Sequence, residues 1–267
     1  MSRSNLARRY GPWALVTGAS SGLGEEFACQ LAREGLNLVL VARRQDRLEA
    51  LAMRLQEEHR ILVRCLHTDL ASPEDIERLL LDVDDIEIGL LVNNAGFATT
   101  GDFLDTSVER SLELLDVNCR APVVLSHSLG GLMRERRRGG IVFTASLAAW
   151  QSMPGWTLYA ASKNWNLMLA EGLHFELKPY GVDVLALCPG ATRTEFGAVA
   201  DARNFFKANA MDAPEVVAIG LAALGREVHV VTGWHNRLVA FCTHLMPRSA
   251  TAWLAKLVMD KVVKSGR

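Results

Sequence analysis

Cysteine is scarce and unpatterned in this chain of 267 residues. Cys29, Cys65, Cys119, Cys188 and Cys242 are odd in number and widely scattered, which argues against a disulfide framework and suggests buried thiols in a reducing compartment. Neither they nor the seven histidines fall at metal-ligand spacing, HExxH included, so no catalytic metal is expected. Charge of one sign is lacking too. A formal net charge of -1 and a pI near 6.7 give no global field to attract nucleic acid, which is not an expected partner. The one dense basic run, RERRR at Arg134–Arg138, precedes Gly139-Gly140, where cations suit the end of a helix. No apolar run approaches the roughly 18 residues that would span a bilayer. The leading MSRSNLARRYGP has no apolar core of the signal-peptide type, and a cytoplasmic location is the expectation. Pro/Gly/Ser-rich linkers, internal repeats and low-complexity tracts are missing as well. With 49% hydrophobic residues, the chain reads as one globular domain over 1–267, with an amphipathic helical extension over 232–267.

What is present is an alternation of apolar runs and amphipathic stretches. WALVT (Trp13–Thr17) reads as a strand and runs directly into a glycine-rich segment; Leu23–Glu34 carries Leu23, Phe27 and Leu31 at helical spacing, with Gly35 where a cap belongs. Leu36–Ala42 is apolar almost throughout, as in a strand covered on both faces. A helix over Gln45–Glu58, a strand over Ile61–Leu66 and a helix over Pro73–Val83 follow, the last with Ser72 as N-cap and Pro73 in its first turn. Gly89–Asn93, Gly140–Thr144 and Val182–Leu187 are further strands, and Phe103–Leu132 and Thr157–Lys178 are long helical stretches. This order predicts an α/β fold, a doubly wound parallel sheet in three α/β/α layers of Rossmann type.

The chemistry concentrates in a few segments. TGASSGLG (Thr17–Gly24) follows a strand and opens a helix, where glycines let the backbone approach a pyrophosphate and free amides face its charge. The candidates there are Gly18, Ser20, Ser21, Gly22, Leu23 and Gly24. At the end of the second strand stand Arg43 and Arg44 rather than the acidic residue that would bond an NAD ribose. Guanidinium groups fit the extra phosphate of NADP(H), with Arg43 the stronger candidate. In YAASK, Tyr159 and Lys163 are four apart and share a helix face. A phenol has an ordinary pKa of about 10, and the lysine cation is expected to pull it down toward a useful acid. Ser146, at the end of the strand-like GGIVFTAS, can hold a substrate oxygen in line with Tyr159.

Taken in order, TGASSGLG, Asp69, NNAG (Asn93–Gly96), Asn118, Ser146, Tyr159 with Lys163, and PGATRT (Pro189–Thr194) resemble the short-chain dehydrogenase/reductases over about Trp13–Val231. The resemblance implies that Tyr159 exchanges a proton with a carbonyl or alcohol oxygen while a nicotinamide exchanges hydride with carbon. It implies that Lys163 tunes the tyrosine and bonds the nicotinamide ribose, and that Asn118 holds a water in a proton relay to Lys163. It places Asp69, with Leu70, at the adenine, and Asn93, Ala95 and Gly96 beside the cofactor and in support of the sheet. Pro189, Gly190, Thr192 and Thr194 would clasp the nicotinamide amide. Thr192 departs from the branched aliphatic residue more common there.

For the substrate, FATTGDF (Phe97–Phe103), LAAWQSMPGW (Leu147–Trp156) and EFGAVADARNFF (Glu195–Phe206) are the expected pocket segments. Phe97, Trp150 and Trp156 join Ser146 and Tyr159 as candidate contacts, and the apolar character predicts a lipophilic or aromatic ketone, aldehyde or secondary alcohol. In the extension, Leu238, Phe241, Cys242 and Leu245 form one apolar helical face, and Trp253, Leu254, Leu257, Val258 and Val262 another beyond Pro247. Basic residues outnumber acidic ones there. Such helices dock on their own domain or a second subunit, or lie on a membrane surface. Docking and homo-oligomerisation are the first expectation, peripheral membrane contact the second. The alternative to an enzyme is an NADPH-binding regulator that presents this tail to a partner.

Overall fold

The computed structural model describes residues 5–196 and 210–264, with residues 260–264 as backbone. In chain order, α1 (Asn5–Tyr10) leads into β1 (Trp13–Thr17), α2 (Gly22–Arg33), β2 (Asn37–Ala42), α3 (Gln45–His59), β3 (Val63–His67), α4 (Pro73–Asp82) and β4 (Ile88–Asn93). The second half runs α5 (Val108–Leu115), a π-helical turn (Asp116–Arg120), α6 (Ala121–Glu135), β5 (Gly139–Thr144), α7 (Thr157–Leu177), β6 (Val182–Cys188) and a short β7 (Thr192–Arg193). Beyond residue 209 come β8 (Met211–Asp212), α8 (Ala213–Ala223), β9 (His229–Val231), α9 (Trp234–Leu245) and α10 (Arg248–Lys264).

Seven strands form one parallel sheet in the order β3-β2-β1-β4-β5-β6-β9. Strand alternation explains the three layers. In β2, Leu38 and Leu40 face a core shared with Phe27, Leu31, Leu48 and Val217 of α2, α3 and α8. Val39 and Val41 face a second core with Ile76, Leu125 and Leu167 of α4, α6 and α7. Because both faces are covered, the strands are apolar at nearly every position, as the sequence reading required. Ser72 caps α4 by accepting from the Asp75 amide at 3.1 Å, and the basic run after α6 staples that helix end down. Arg138 pairs with Glu87, Arg136 donates to the Ile88 carbonyl, and Arg137 donates to the Pro179 carbonyl at 2.9 Å.

The long helical stretch expected over Phe103–Leu132 runs unbroken from Val108 to Glu135, but with a π-turn inside it that the sequence reading missed. The π-turn at Asp116–Arg120 joins α5 to α6, and Pro122 then occupies the first turn of α6, where its missing amide does no harm. The extra residue in that turn carries Asn118 inward, where it is fully buried.

The chain winds outward from β1 to β3 and then returns to build β4 to β6 on the other side, so the direction reverses between β1 and β4. Crevices form outside the carboxyl ends of the strands at such a point. Thr17 locks the two halves together there: its hydroxyl donates to the Val92 carbonyl at 3.2 Å and accepts from the amides of Asn94 and Ala95 at 2.9 and 3.0 Å.

Candidate active site

The crevice is a cleft of about 960 Å³, and the end of each of the first six strands delivers a residue to it. Gly18 follows β1, Arg43 follows β2, Asp69 follows β3, Asn94 follows β4, Ser146 follows β5 and Pro189 follows β6. At the glycine loop the backbone turns through positive φ at Gly18 (68°) and Gly22 (61°), where side chains are strained. A Cβ on Gly18 would sit 2.9 Å from the Ala95 Cα, so the β1 and β4 loops could not close on each other. Gly24 does something else. Its Cβ would lie 2.2 Å from the Gly18 carbonyl oxygen, and it packs α2 onto the loop instead of lining the cleft.

Next to that loop, Arg44 donates to the Ser20 hydroxyl through Nε and Nη2 at 3.1 and 3.0 Å and to the Ser21 hydroxyl at 2.7 Å. Arg43 also lines the cleft but reaches outward to Glu113 at 3.4 Å. The sequence reading ranked Arg43 first; the geometry favours Arg44, because hydrogen bonds fix its guanidinium beside the glycine loop. Asp69 and Leu70 line the same end, the Asp69 carboxylate accepting from the Ala71 amide at 3.0 Å. A glycine cradle, the amino end of α2, two serine hydroxyls and two arginines form a donor set suited to a dinucleotide carrying an additional phosphate.

Asn93 needs a correction. Strand alternation turns its side chain away from the cleft, where its amide donates to Ser126 at 2.9 Å and ties β4 to α6. Asn94 takes the place beside the cleft, donating to the Thr17 carbonyl at 2.9 Å. Ala95 and Gly96 line the cleft as expected. At the opposite wall, Pro189, Gly190, Thr192 and Thr194 are all present. Thr192 is buried with its hydroxyl on the Gly190 carbonyl at 3.1 Å. Its polarity, the visible departure from the family pattern, is thus satisfied within the turn. A Cβ on Gly190 would collide with Asn236 of α9 at 2.2 Å, so this glycine admits the C-terminal helix.

Ser146, Tyr159 and Lys163 meet where these walls converge. Ser146 caps a short 3₁₀ turn, accepting from the Ala148 amide at 3.1 Å, and its hydroxyl neighbours the Tyr159 phenol closely enough to lower the pKa of that group. The α7 helix presents Tyr159 and Lys163 one turn apart, both buried. The Lys163 ammonium donates to the Thr144 carbonyl at 2.8 Å and lies 5.8 Å from the centre of the Tyr159 ring. Burial pushes Tyr159 up to about 12, against a smaller lowering by the Ser146 hydroxyl. Burial likewise brings Lys163 down to about 8. The tyrosine is thus raised rather than lowered: the ammonium is turned to Thr144, and desolvation of the phenolate is the largest cause.

Asn118 sits behind Lys163, and a Cβ on Gly96 would lie 3.0 Å from its Oδ1 and 3.3 Å from the Lys163 Nζ. Its amide is fully engaged: Oδ1 accepts from the Phe97 amide at 3.1 Å, and Nδ2 donates to the Phe97 carbonyl and to Ser162, each at 3.0 Å. A relay water at Asn118 would have to be held by its oxygens, because both side-chain donors are spent.

Residues 12–204 match the sequence model of the short chain dehydrogenase family. The chain is a short-chain dehydrogenase. It is 31% identical to the 7beta-hydroxysteroid dehydrogenase of Clostridium sardiniense, over 87% of this chain and 90% of that one. Among solved structures it resembles a short-chain dehydrogenase from Sphingobium yanoikuyae in complex with NADPH, with a TM-score of 0.81 and 35% identity, over 88% of this chain and 94% of that one. A bulky-bulky ketone specific alcohol dehydrogenase from Comamonas testosteroni gives a TM-score of 0.77 and 32% identity, over 89% and 94%.

The substrate end of this dehydrogenase departs most from the sequence reading. Phe97 and Trp156 line the cleft, Phe97 under the Arg110 guanidinium at 3.9 Å and Trp156 with its edge on Tyr159 at 5.6 Å. Trp150 does not. The 3₁₀ turn directs it away, between His229 and His244, each ring centroid 5.0 Å distant. Of EFGAVADARNFF, Glu195 and Phe196 line the cleft, and residues 197–206 lie outside the described residues. Met153 and Phe196, within the expected pocket segments, line the cleft too; sequence reasoning missed that Leu238, Val239 and Cys242 of α9 and Leu254, Ala255 and Val258 of α10 complete the wall. Their apolar helical spacing was the available signal. Met259 joins Ala98, Trp156 and Tyr159 in a buried cluster. The tail thus docks on its own domain, and part of its apolar faces lines the cleft, whereas Phe241, Leu245, Trp253 and Leu257 stay exposed. No helix among the described residues is long and apolar enough to cross a membrane. The expectation of membrane contact through these helices is corrected accordingly.

Proposed function

We propose that this protein is an NADP(H)-dependent oxidoreductase that interconverts a lipophilic ketone or aldehyde and the corresponding alcohol, with Tyr159 as proton donor and acceptor. The observation that carries the reading is that Ser146, Tyr159 and Lys163 line one cleft where a glycine loop meets an apolar wall. When bound, the nicotinamide supplies or takes up the hydride. The chain's residues do the rest. Ser146 and Tyr159 hold the carbonyl oxygen, and in reduction the phenolic proton passes to that oxygen as its C=O bond is reduced. With burial holding Tyr159 near 12 and Lys163 near 8, the phenol is protonated at neutral pH and the lysine mostly charged, so the pair is set as an acid. The phenolate left behind is stabilised and reprotonated from the Lys163 side.

Arg43, Arg44, Ser20 and Ser21 support the choice of NADP(H), as does the NADPH named with the Sphingobium yanoikuyae structure. Size and lining support the substrate class. Met153, Trp156, Phe196, Leu238, Leu254 and Val258 offer an extended apolar surface to a molecule with a single reacting oxygen. The relatives are named for a hydroxysteroid and for bulky ketones, which agrees with a large, rigid, apolar substrate. The test is NADPH oxidation followed by absorbance over steroids, aryl ketones, lipophilic aldehydes and 3-ketoacyl thioesters. Tyr159→Phe is the control. Loss of about 10³-fold in turnover with NADPH binding retained is expected, and turnover that survives the substitution contradicts the assignment of Tyr159.

A further inference from the structure

The arginines at the adenosine end already hold an anion, and it comes from across the cleft. Glu195, one residue beyond the PGATRT turn, accepts from the Arg44 Nη1 at 3.1 Å through Oε2, while both its oxygens accept from the Arg47 Nη1 at 2.9 Å. The Arg44 Nε and Nη2 rest on Ser20 and Ser21. Hydrogen bonds from Arg47 and Arg44 hold the Glu195 carboxyl below the usual carboxylate range, so it is an anion at every working pH.

A carboxylate and a phosphate use the same face of a guanidinium. Phosphate brought onto Arg44 has to take Nη1 from Glu195 or accept a like charge within a few ångströms of it. The glutamate can yield, being about half exposed at 49% and already held by Arg47. A dinucleotide without the 2′-phosphate makes no demand on Arg44 and leaves the pair undisturbed.

We propose that Glu195 is a specificity-determining residue that competes with the adenosine 2′-phosphate of the cofactor for Arg44, weakening binding of the phosphorylated dinucleotide only. The proposal rests on the reading that this cofactor is phosphorylated.

Calorimetric titration of the full chain with NADPH, NADH, 2′-AMP and 5′-AMP tests it without turnover. Glu195→Gln should tighten NADPH and 2′-AMP by about fivefold, the scale of one exposed charge pair, and leave NADH and 5′-AMP within about twofold. Weaker NADPH binding would mean that the carboxylate aligns Arg44 for the phosphate, and unchanged binding that it plays no part; either overturns the competition. Equal tightening of NADH would reduce the effect to general electrostatics and overturns it too. Wild-type protein that binds NADH more tightly than NADPH strikes the cofactor reading itself, whereas a wild-type preference for NADPH with an inert Glu195→Gln removes only the role of Glu195.

Discussion

The Lys163 ammonium donates to the Thr144 carbonyl at 2.8 Å and stands 5.8 Å from the centre of the Tyr159 ring, one helical turn along α7. Both groups are buried, and burial moves them in the same sense, toward the neutral form: the phenol up to about 12 and the amine down to about 8. The tyrosine therefore keeps its proton until a reacting oxygen arrives, and the nearby lysine is the group whose charge is marginal.

That relationship gives stability a pH signature. The folded pKa of Lys163 lies below its ordinary value of 10.5, so between about pH 8 and 10.5 the unfolded chain binds more protons and stability rises with pH. The cost of the buried charge is present in full below pH 8 and disappears above 10.5, on the order of 3 kcal/mol in all. Tyr159 acts in the opposite sense between 10 and 12, where the folded state retains its proton. Denaturant midpoints at pH 7.5 and 10 should show a gain for the wild type that Lys163→Met lacks; parallel behaviour of the two proteins would refute it.

Arg44 and Arg43 should separate in a binding assay. Arg44 is fixed on Ser20 and Ser21, whereas Arg43 turns toward Glu113. Arg44→Ala is expected to weaken NADPH by at least about tenfold, one charge-assisted hydrogen bond or more, with NADH changed less than about threefold. Arg43→Ala should cost less. The reverse ranking, read by fluorescence titration, restores the order suggested by sequence.

Trp150 and Trp156 should fail in different ways. Trp150 is wedged between His229 and His244, holding α9 to the body, so Trp150→Ala should cost about 2–3 kcal/mol of stability with little change in relative KM across substrates. Trp156 borders Tyr159 and the cleft, and Trp156→Ala should raise KM for bulky ketones most. A changed substrate profile in the Trp150 variant would return that residue to the pocket.

Leu254 on α10 tests the C-terminal wall. A charge there faces the apolar end of the cleft, so Leu254→Asp should raise KM for a steroid or aryl ketone by roughly tenfold or more, the loss of one apolar contact with the substrate. KM for a short aldehyde and the Kd for NADPH should stay near wild type. Equal losses on large and small substrates would place the defect in folding instead.

Local pattern was enough for much of this molecule. Apolar runs covered on both faces had to be parallel strands, and TGASSGLG between a strand and a helix had to be a close backbone turn, because glycine adopts φ of 68° and 61°, as at Gly18 and Gly22, at least steric cost. The four-residue spacing of Tyr159 and Lys163 was bound to place both on one helix face. Tertiary structure decided what spacing cannot carry. Whether Asn93 or Asn94 enters the cleft is fixed by the phase of β4 against α6, and Trp150 is removed from the pocket by a turn whose direction Ser146 sets. The Tyr159 acidity followed burial rather than its neighbour's charge, since desolvation depends on every element that closes over the ring, Met259 of α10 included. Apolar faces of α9 and α10 were legible as helical stripes, but a stripe records only that something covers it. In this protein the cover is the cleft wall, a relation between residues about a hundred positions apart that no local spacing encodes.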